Sequence, residues 1–597
     1  MPIYRAPLED VRFLFHEVLD IGHLTSLPGY GDATGDLVDS VLAEGARFCE
    51  QVLQPLNASA DLEGCTFQHG KVTTPGGFKE AYQALVDGGW PALAAHPEYG
   101  GQGLPVTVRV ALDEMLLASN LAFSMFPQLL GGAYETLERH GSDALKSAYL
   151  PKIASGEWTA TMCLTEAHAG TDLGMIRTTA TPRADEAFSV NGSKTFISGG
   201  EHDLTPNIVH LVLARLPDAP PGTKGISLFL VPKFLPGPDG ALGARNGVAC
   251  GAIEHKMGIK GSPTCVMNFD DAVGYLVGEP HRGMRAMFTM MNGARLGVGL
   301  QGLGLADASY QNAVAYARDR VQGRSLSGPK NPGAPADPIL VHADIRRGLL
   351  TMRAFTEAAR ALALWTGMQI DRELRHPDAT TREEAADFVA LLTPVIKALF
   401  TDLGFEAANI GVQTLGGYGY VREYGLEQFV RDARIGQIYE GTNYVQAIDL
   451  LGRKLREGDG RLFRRLAALI ESELARAGAN PALADIVGPV AQSTERLQRI
   501  AASLDARARS NADEAGAAAS EFLRLFGLVT LGWMWVRMAD VAASRQQQGG
   551  QHAPAFYAAK LKLARFYVSR ILPATRALEE SIASGSAPIL AMSPDEF

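Results

Sequence analysis

TATMCLTEAHAGTDLG, residues 159–174, is where the period of the sequence changes, and that change decides the fold. Upstream, from Asp36 to about Trp158, apolar residues recur at three-or-four spacing. In LVDSVLAEGARFCEQVLQPL, Leu37, Val41, Ala46, Phe48 and Val52 predict one face of a helix, and FKEAYQALVDGGW continues that texture. Downstream, as far as Tyr275, the runs are short and β-rich: AFSVNGSKTFIS, IVHLVLARL, GISLFLVP and CVMNFD. Asn191-Gly192 between two such runs predicts a hairpin, because both residues tolerate the positive φ of a type I′ turn. LPDAPPGT and LPGPDGALGARNG predict loops. After Pro280 the helical texture returns and holds to about Arg456, broken once by GRSLSGPKNPGAPADP. GDG, residues 458–460, then links to an Ala- and Leu-rich helical block that runs to residue 597. An antiparallel β block set between helical blocks is not a doubly wound plan. The expectation is a mainly α chain with a central β domain. Its segments are an N-terminal extension (1–35), a helical domain (36–157), a middle β domain (158–279), a helical bundle (280–456) and an additional helical domain (460–597).

The 597 residues correspond to roughly four domains at about 150 residues each. With 46% hydrophobic and 20% charged residues, the composition excludes a disordered or collagen-like chain. A net charge of −10 repels phosphate backbones, so nucleic-acid binding would need a concentrated basic face. Cys49, Cys65, Cys163, Cys250 and Cys265 lie far apart with no C-x-x-C pair, which suits neither a disulfide framework nor a zinc site. They fit a reducing compartment. The N-terminus carries Glu9, Asp10, Glu17 and Asp20 among short apolar runs, unlike a signal peptide, so the cytoplasm is expected. The longest apolar run, LFGLVTLGWMWV (525–536), is twelve residues, too short to span a bilayer.

Four stretches invite a chemical reading. GVGLQG, residues 297–302, spells G-x-G-x-x-G, but a dinucleotide fingerprint needs a strand before it, and MRAMFTMMNGARL reads as helix. These glycines are expected to allow close helix–helix contact, and NAD binding is rejected. MCLTEAHAGTDLG (162–174) ends a β run in a turn whose N–H groups and hydroxyls suit a phosphate or a heteroaromatic edge; alone it also reads as an ordinary turn. QTLGGYGY (413–420) offers glycine backbone to something flat or anionic, again weak by itself. In RDARIGQIYEGTN (431–443), Glu440 stands beside Tyr439 and Gly441 in an apolar stretch. Desolvation there would suit a general base, while the alternative is a solvated helix-end glutamate. No metal motif or Ser/His/Asp set stands out.

Taken in order, MCLTEAHAGTDLG, NGSKTFISGG, EHKMGIKGSPTCVMNFDDA, RVQGRS, QTLGGYGY and RDARIGQIYEGTN resemble the acyl-CoA dehydrogenase flavoprotein family over about residues 36–455. MPIYRAPLEDVRF and the block after residue 460 resemble its longer bacterial subgroup. The resemblance implies a β-barrel-like middle domain between an N-terminal helical domain and a C-terminal bundle. It implies FAD as cofactor and Glu440 as the base that removes the α-proton of an acyl thioester. Met162, Leu164, Thr165, Gly170 and Thr171 match the loop lining the flavin and the start of the CoA channel. Phe196 and Ser198 match positions flanking the flavin ring. Arg320, Gln322, Gln413, Gly416 and Gly417 match residues reaching the FAD pyrophosphate and adenosine half across a subunit interface. Gly441 and Thr442 match the segment between thioester carbonyl and FAD, and Asn292 and Arg295 match helix positions near CoA.

The resemblance further implies α,β-desaturation of an acyl-CoA to trans-2-enoyl-CoA in fatty-acid β-oxidation. Electrons would pass to an electron-transfer flavoprotein, and the enzyme would be a homodimer with neither nucleic acid nor membrane insertion. Three rival readings are a catalytically silent, flavin-loaded scaffold, an acyl-CoA oxidase, where reduced flavin meets O₂, and a DNA-associated flavoprotein paralogue. RLFRR and RLQRIAASLDARAR carry the basic residues for the last, diluted by Glu and Asp. Two departures from the family pattern matter. The usual T-E-P-x-A-G is here Thr165-Glu166-Ala167-His168-Ala169-Gly170, which predicts a looser turn. R-x-Q-F-G is here Arg320-Val321-Gln322-Gly323, without the aromatic at the adenine end.

Overall fold

A computed structural model describes residues 2–237 and 240–597. The chain divides into two compact units: Arg47–Leu104 with Ser119–Gly297, and Met1–Ala46 with Pro105–Ala118 and Val298–Phe597.

The first unit holds the strands. β1 (Thr66–Gln68) and β2 (Lys71–Thr73) form a small hairpin inside the stretch expected to be helical. The main sheet is built from β3 (Trp158–Cys163), β4 (Thr179–Pro182), β5 (Phe188–Ser198), β6 (Asn207–Arg215) and β7 (Ile226–Pro232). β8 (Phe234–Pro236) and β9 (Leu242–Arg245) pair separately, so the second expected loop contains a hairpin; its Pro238 and Asp239 lie outside the described residues. β10 (Val248–Ile253) and β11 (Thr264–Val277) complete the main sheet in the order β10-β11-β5-β4-β6-β3. Because β7 pairs with both β6 and β11, five of these strands close into a ring, the barrel-like middle domain. Alternation along β6 builds its two cores: Leu211 and Leu213 face one, Val212 and Ala214 the other.

Two β expectations are corrected. The sheet is mixed rather than antiparallel, since β3 runs parallel to β6 over Trp158↔Asn207 to Cys163↔Val212. β3 is buried on both faces, and β6 nearly so, as parallel strands are. Asn191-Gly192 is not a hairpin turn: both lie inside continuous β5, and the turn falls at residues 184–186, closed by Arg183 N–H to Ala187 O at 2.8 Å. Glu186 takes the positive φ (62°) there. Gly192 is needed for another reason, because a Cβ on it would stand 2.4 Å from Thr178 Oγ1. Asn191 Oδ1 accepts the Asp271 N–H at a bulge (2.8 Å).

Seven helices carry the rest of the argument: α1 (Val106–Ser119), α2 (Leu121–His140), α3 (Gly283–Asp319), α4 (Ala343–Arg375), α5 (Ala379–Leu415), α6 (Asn443–Ile448) and α7 (Asp513–Gln548). The GVGLQG glycines lie within unbroken α3, where they let α5 approach. A Cβ on Gly302 would fall 2.2 Å from Phe400 O, and one on Gly299 2.6 Å from Ile396 Cγ2. The close-contact reading holds.

In the helical unit a buried ionic cluster ties the two ends of the chain to the middle. Arg360 of α4 forks onto Glu114 of α1 (2.6–3.1 Å) and bonds Asp10 at 2.6 Å, while Lys560 bonds Asp10 and, at 2.7 Å, Glu357. Buried charges are tolerated only with such partners. The block after residue 460 packs on the bundle through α7, whose Gly527 admits Leu399 of α5 and whose Trp535 Nε1 donates to Ala354 O (3.1 Å). The segment Ala379–Tyr420 and α7 are long and apolar enough to cross a bilayer, contrary to the twelve-residue limit read from the sequence. Their most apolar windows are 72% and 83% buried in the protein.

Candidate active site

In the strand-bearing unit, β3 delivers Met162 to its buried end and releases the chain into the turn holding Leu164, Thr165, Gly170 and Thr171, the last two exposed. The turn is not loose despite its missing proline. Glu166 and Ala169 exchange both backbone hydrogen bonds at 3.0 Å, and Thr195 N–H donates to Thr165 O at 2.8 Å. Beneath it, Lys194 of β5, fully buried, donates to Leu164 O (3.0 Å) and Glu166 Oε1 (2.8 Å). Glu166 also accepts Arg177 N–H, Thr178 N–H and the Thr178 hydroxyl at 2.6–3.0 Å. Burial pushes the Glu166 carboxyl up, but the Lys194 ammonium and these donors outweigh it and hold the group at about 2.

Phe196 and Ser198 follow on β5. Phe196 has φ 60° and is 64% exposed, so a bulky residue holds a left-handed backbone without packing to justify it, at a cost of about 1–2 kcal/mol. Asn292 and Arg295 sit on α3, the first exposed and the second buried. Leu164 and Ala294 pack against the same apolar core, which includes Met162, Met290 and Met291.

In the helical unit, Arg320, Gln322, Gln413, Gly416 and Gly417 are brought together around one cleft of about 440 Å³. A Cβ on Gly416 or Gly417 would meet nothing within 4 Å, so their backbone is open. Aromatic surface is present although none follows Gln322: Arg320 lies over the Tyr418 ring (5.6 Å), which contacts Tyr424 at 4.8 Å and Tyr316 at 6.5 Å. One guanidinium, two amides, open glycine backbone and an aromatic surface fit a pyrophosphate joined to a flat heteroaromatic.

Glu440 is half-buried in a turn leading into α6, not at the end of a helix. Glu440 (φ 57°) and Gly441 (φ 82°) are both left-handed. Thr442 caps α6 through Val445 N–H (3.3 Å). Side chains that sequence reasoning missed hold this turn from all sides. Gln446 Nε2 donates to Glu440 O (3.1 Å) and Gly441 O (3.2 Å), and Lys397 Nζ donates to Gly441 O (2.8 Å) and Asn443 Oδ1 (2.7 Å). Asp402 Oδ1 accepts Gln437 Nε2 and Asn443 Nδ2, both at 2.7 Å, and Tyr439 OH bonds Gln301. Burial raises the Asp402 carboxyl above its ordinary range, against those donors, and burial likewise raises the Tyr439 phenol. A signal for Lys397 existed: a single cation inside FVALLTPVIKALF, residues 388–400, is expensive unless it has a task.

These features fit a flavoprotein dehydrogenase of acyl thioesters, and comparison with known proteins shows that class. The chain matches the family models for the N-terminal (residues 39–157), middle (161–272) and C-terminal (281–455) domains of acyl-CoA dehydrogenase, and an "Acetyl-CoA dehydrogenase C-terminal like" domain over 462–593. The chain belongs to the acyl-CoA dehydrogenase family. It is 42% identical to 3-methylmercaptopropionyl-CoA dehydrogenase of Ruegeria pomeroyi, over 95% of this chain and 96% of that one. It is 34% identical to a butyryl-CoA dehydrogenase of Syntrophomonas wolfei, over 96% and 95%. An acyl-CoA dehydrogenase from Bacillus anthracis, solved in complex with FAD, shares the fold at a TM-score of 0.73 and 22% identity, covering 96% of this chain and 91% of its own.

Proposed function

We propose that this acyl-CoA dehydrogenase converts an acyl-CoA to its trans-2-enoyl-CoA, with Glu440 taking the α-proton and an electron-transfer flavoprotein taking the electrons. The observation that carries the reading is the Glu440 turn, a strained carboxylate-bearing bend held by Lys397, Asn443, Gln446 and Tyr439. The α C–H of a thioester is a weak acid, so a base must be aligned and the forming enolate oxygen met by fixed donors. Glu440 supplies the base, and its own backbone N–H is the proposed donor. Gly441, Asn292, Arg295 and Thr171 are the proposed thioester and CoA contacts.

The cofactor is FAD, which when bound accepts the β-hydride. Arg320, Gln322, Gln413 and the Gly416–Gly417 backbone would hold its pyrophosphate and adenosine. Met162, Leu164, Thr165, Gly170, Thr171, Phe196, Ser198 and Thr442 would line the ring. The exposed Tyr418, Tyr420 and Val421 beside the cleft support a second copy covering it, hence a homodimer. Five free thiols support the cytoplasm. Because both relatives named above act on short straight chains by name, one of them a thioether, that class is the first to test.

The test is anaerobic single-turnover flavin reduction. Glu440→Gln keeps size and hydrogen-bonding shape but not basicity; flavin and acyl-CoA should still bind while reduction slows by about 10²–10⁴-fold or more. Near-normal reduction would place the base elsewhere.

A further inference from the structure

Lys397 stands in the middle of α5, fully buried, with its ammonium bonded to two residues that follow Glu440. One bond goes to the Gly441 carbonyl (2.8 Å), another to the Asn443 side chain (2.7 Å). Asn443 is held in turn by Thr401 (3.0 Å) and Asp402 (2.7 Å), the residues four and five positions further along α5. One rigid helix therefore grips residues 441 and 443 together, and Asp402 adds residue 437 through Gln437 (2.7 Å). Between these anchors lie the two consecutive left-handed residues, Glu440 and Gly441. An ammonium is buried there only because such partners meet it.

We propose that Lys397 is a positioning residue for the reaction: it fixes the Glu440 turn in its left-handed form. This rests on Glu440 being the base. During α-proton removal the C–H bond breaks, the proton passes to the Glu440 carboxylate, and the electron pair enters the enolate. Transfer requires the carboxylate to be held where that proton is, and the bonds of Lys397 to Gly441 and Asn443 fix the turn that carries it. That placement is demanding, since displacement on the order of 1 Å costs about 10²-fold.

The experiment uses flavin-loaded full-length protein and a 3-thia-acyl-CoA, whose β-position is sulfur and has no hydride to give. Exchange of its α-hydrogen with D₂O, followed by mass spectrometry, then reads proton transfer alone. Backbone amide exchange of the 437–446 segment without substrate reads the turn. In Lys397→Met, α-exchange should fall about 10²-fold, ligand affinity should change less than about threefold, and the 437–446 amides should exchange faster. A folded, flavin-bound Lys397→Met with α-exchange within threefold of the parent overturns the proposal, even if its melting temperature drops, because that is what a purely structural lysine predicts. If Lys397→Met does not fold, Asn443→Ala decides by the same two readouts, since it loosens the grip while leaving α5 intact. Glu440→Gln in parallel separates the failures: retained exchange there sinks the base assignment, whereas lost exchange there with normal exchange in Lys397→Met sinks only the role given to Lys397.

Discussion

Replacing Lys194 by methionine keeps the length of the side chain and removes its charge, which isolates what the buried pair with Glu166 contributes. Taking one partner from a buried ion pair costs about 3–5 kcal/mol, because the other charge is left in a dry site. Glu166 here retains Arg177 N–H, Thr178 N–H and the Thr178 hydroxyl at 2.6–3.0 Å. Those donors argue for the lower end, about 3 kcal/mol near neutral pH, partly offset by the methionine packing where an ammonium stood. The loss has a second component: the Leu164 carbonyl, bonded by Lys194 at 3.0 Å, is orphaned in the turn proposed to line the flavin. Urea titration followed by circular dichroism reads the first effect, and the rate of flavin release reads the second. The double variant Lys194→Met/Glu166→Gln should recover about 1 kcal/mol or more, since no uncompensated carboxylate remains. A loss under about 1 kcal/mol with unchanged flavin release would refute the argument; full destabilisation in the double variant would show that Lys194 matters through Leu164 instead.

The same pair predicts a pH dependence: the Glu166 carboxyl is lowered from 4.5 to about 2 in the folded protein, so its contribution is complete above pH 4.5 and lost as the pH falls towards 2. That amounts to roughly 3 kcal/mol, and acid titrations of stability should show it in the parent and a smaller effect in Lys194→Met, where only the Arg177 and Thr178 donors remain. Phe196→Gly should be neutral to stabilising by up to about 1 kcal/mol, because relief of the left-handed strain exceeds the added chain entropy of glycine. It should also bind flavin more weakly, and marked destabilisation or unchanged flavin affinity would contradict the reading of Phe196.

What was legible in the sequence was whatever depends on residue type and order. The α-to-β-to-α change of texture, the continuity of α3 through its glycines, and the grouping of Arg320, Gln322, Gln413, Gly416 and Gly417 are all visible in the chain. Asn191-Gly192 was misread because glycine has two uses, and here the close approach of Thr178 rather than a turn requires it. The direction of β3 was misread because a run buried on both faces has no alternation to mark its partner. Lys194, Lys397 and Gln446 escaped for a different reason: each acts on backbone carbonyls or on a side chain that only the folded chain brings near. Lys397 lies 44 positions from Gly441, and nothing in either local stretch names the other.

The non-glycine residues with left-handed backbone sharpen this point. Most are Asp or His, which tolerate that region in turns, and Glu186 sits in a hairpin loop. Ile259 is buried, so packing around its side chain can hold it. Phe196 and Glu440 have neither explanation. Phe196 is exposed, so burial does not hold it, and Glu440 lies in a turn on which the bonds of Gln446 and Lys397 converge. Strain of this kind persists only where surrounding structure over-determines it, and it gathers where a fixed orientation has chemical use. Each of the two units carries one such residue, one in the motif proposed to flank the flavin and one at the proposed base. Backbone strain therefore supports both assignments by a physical route that is independent of the motifs themselves.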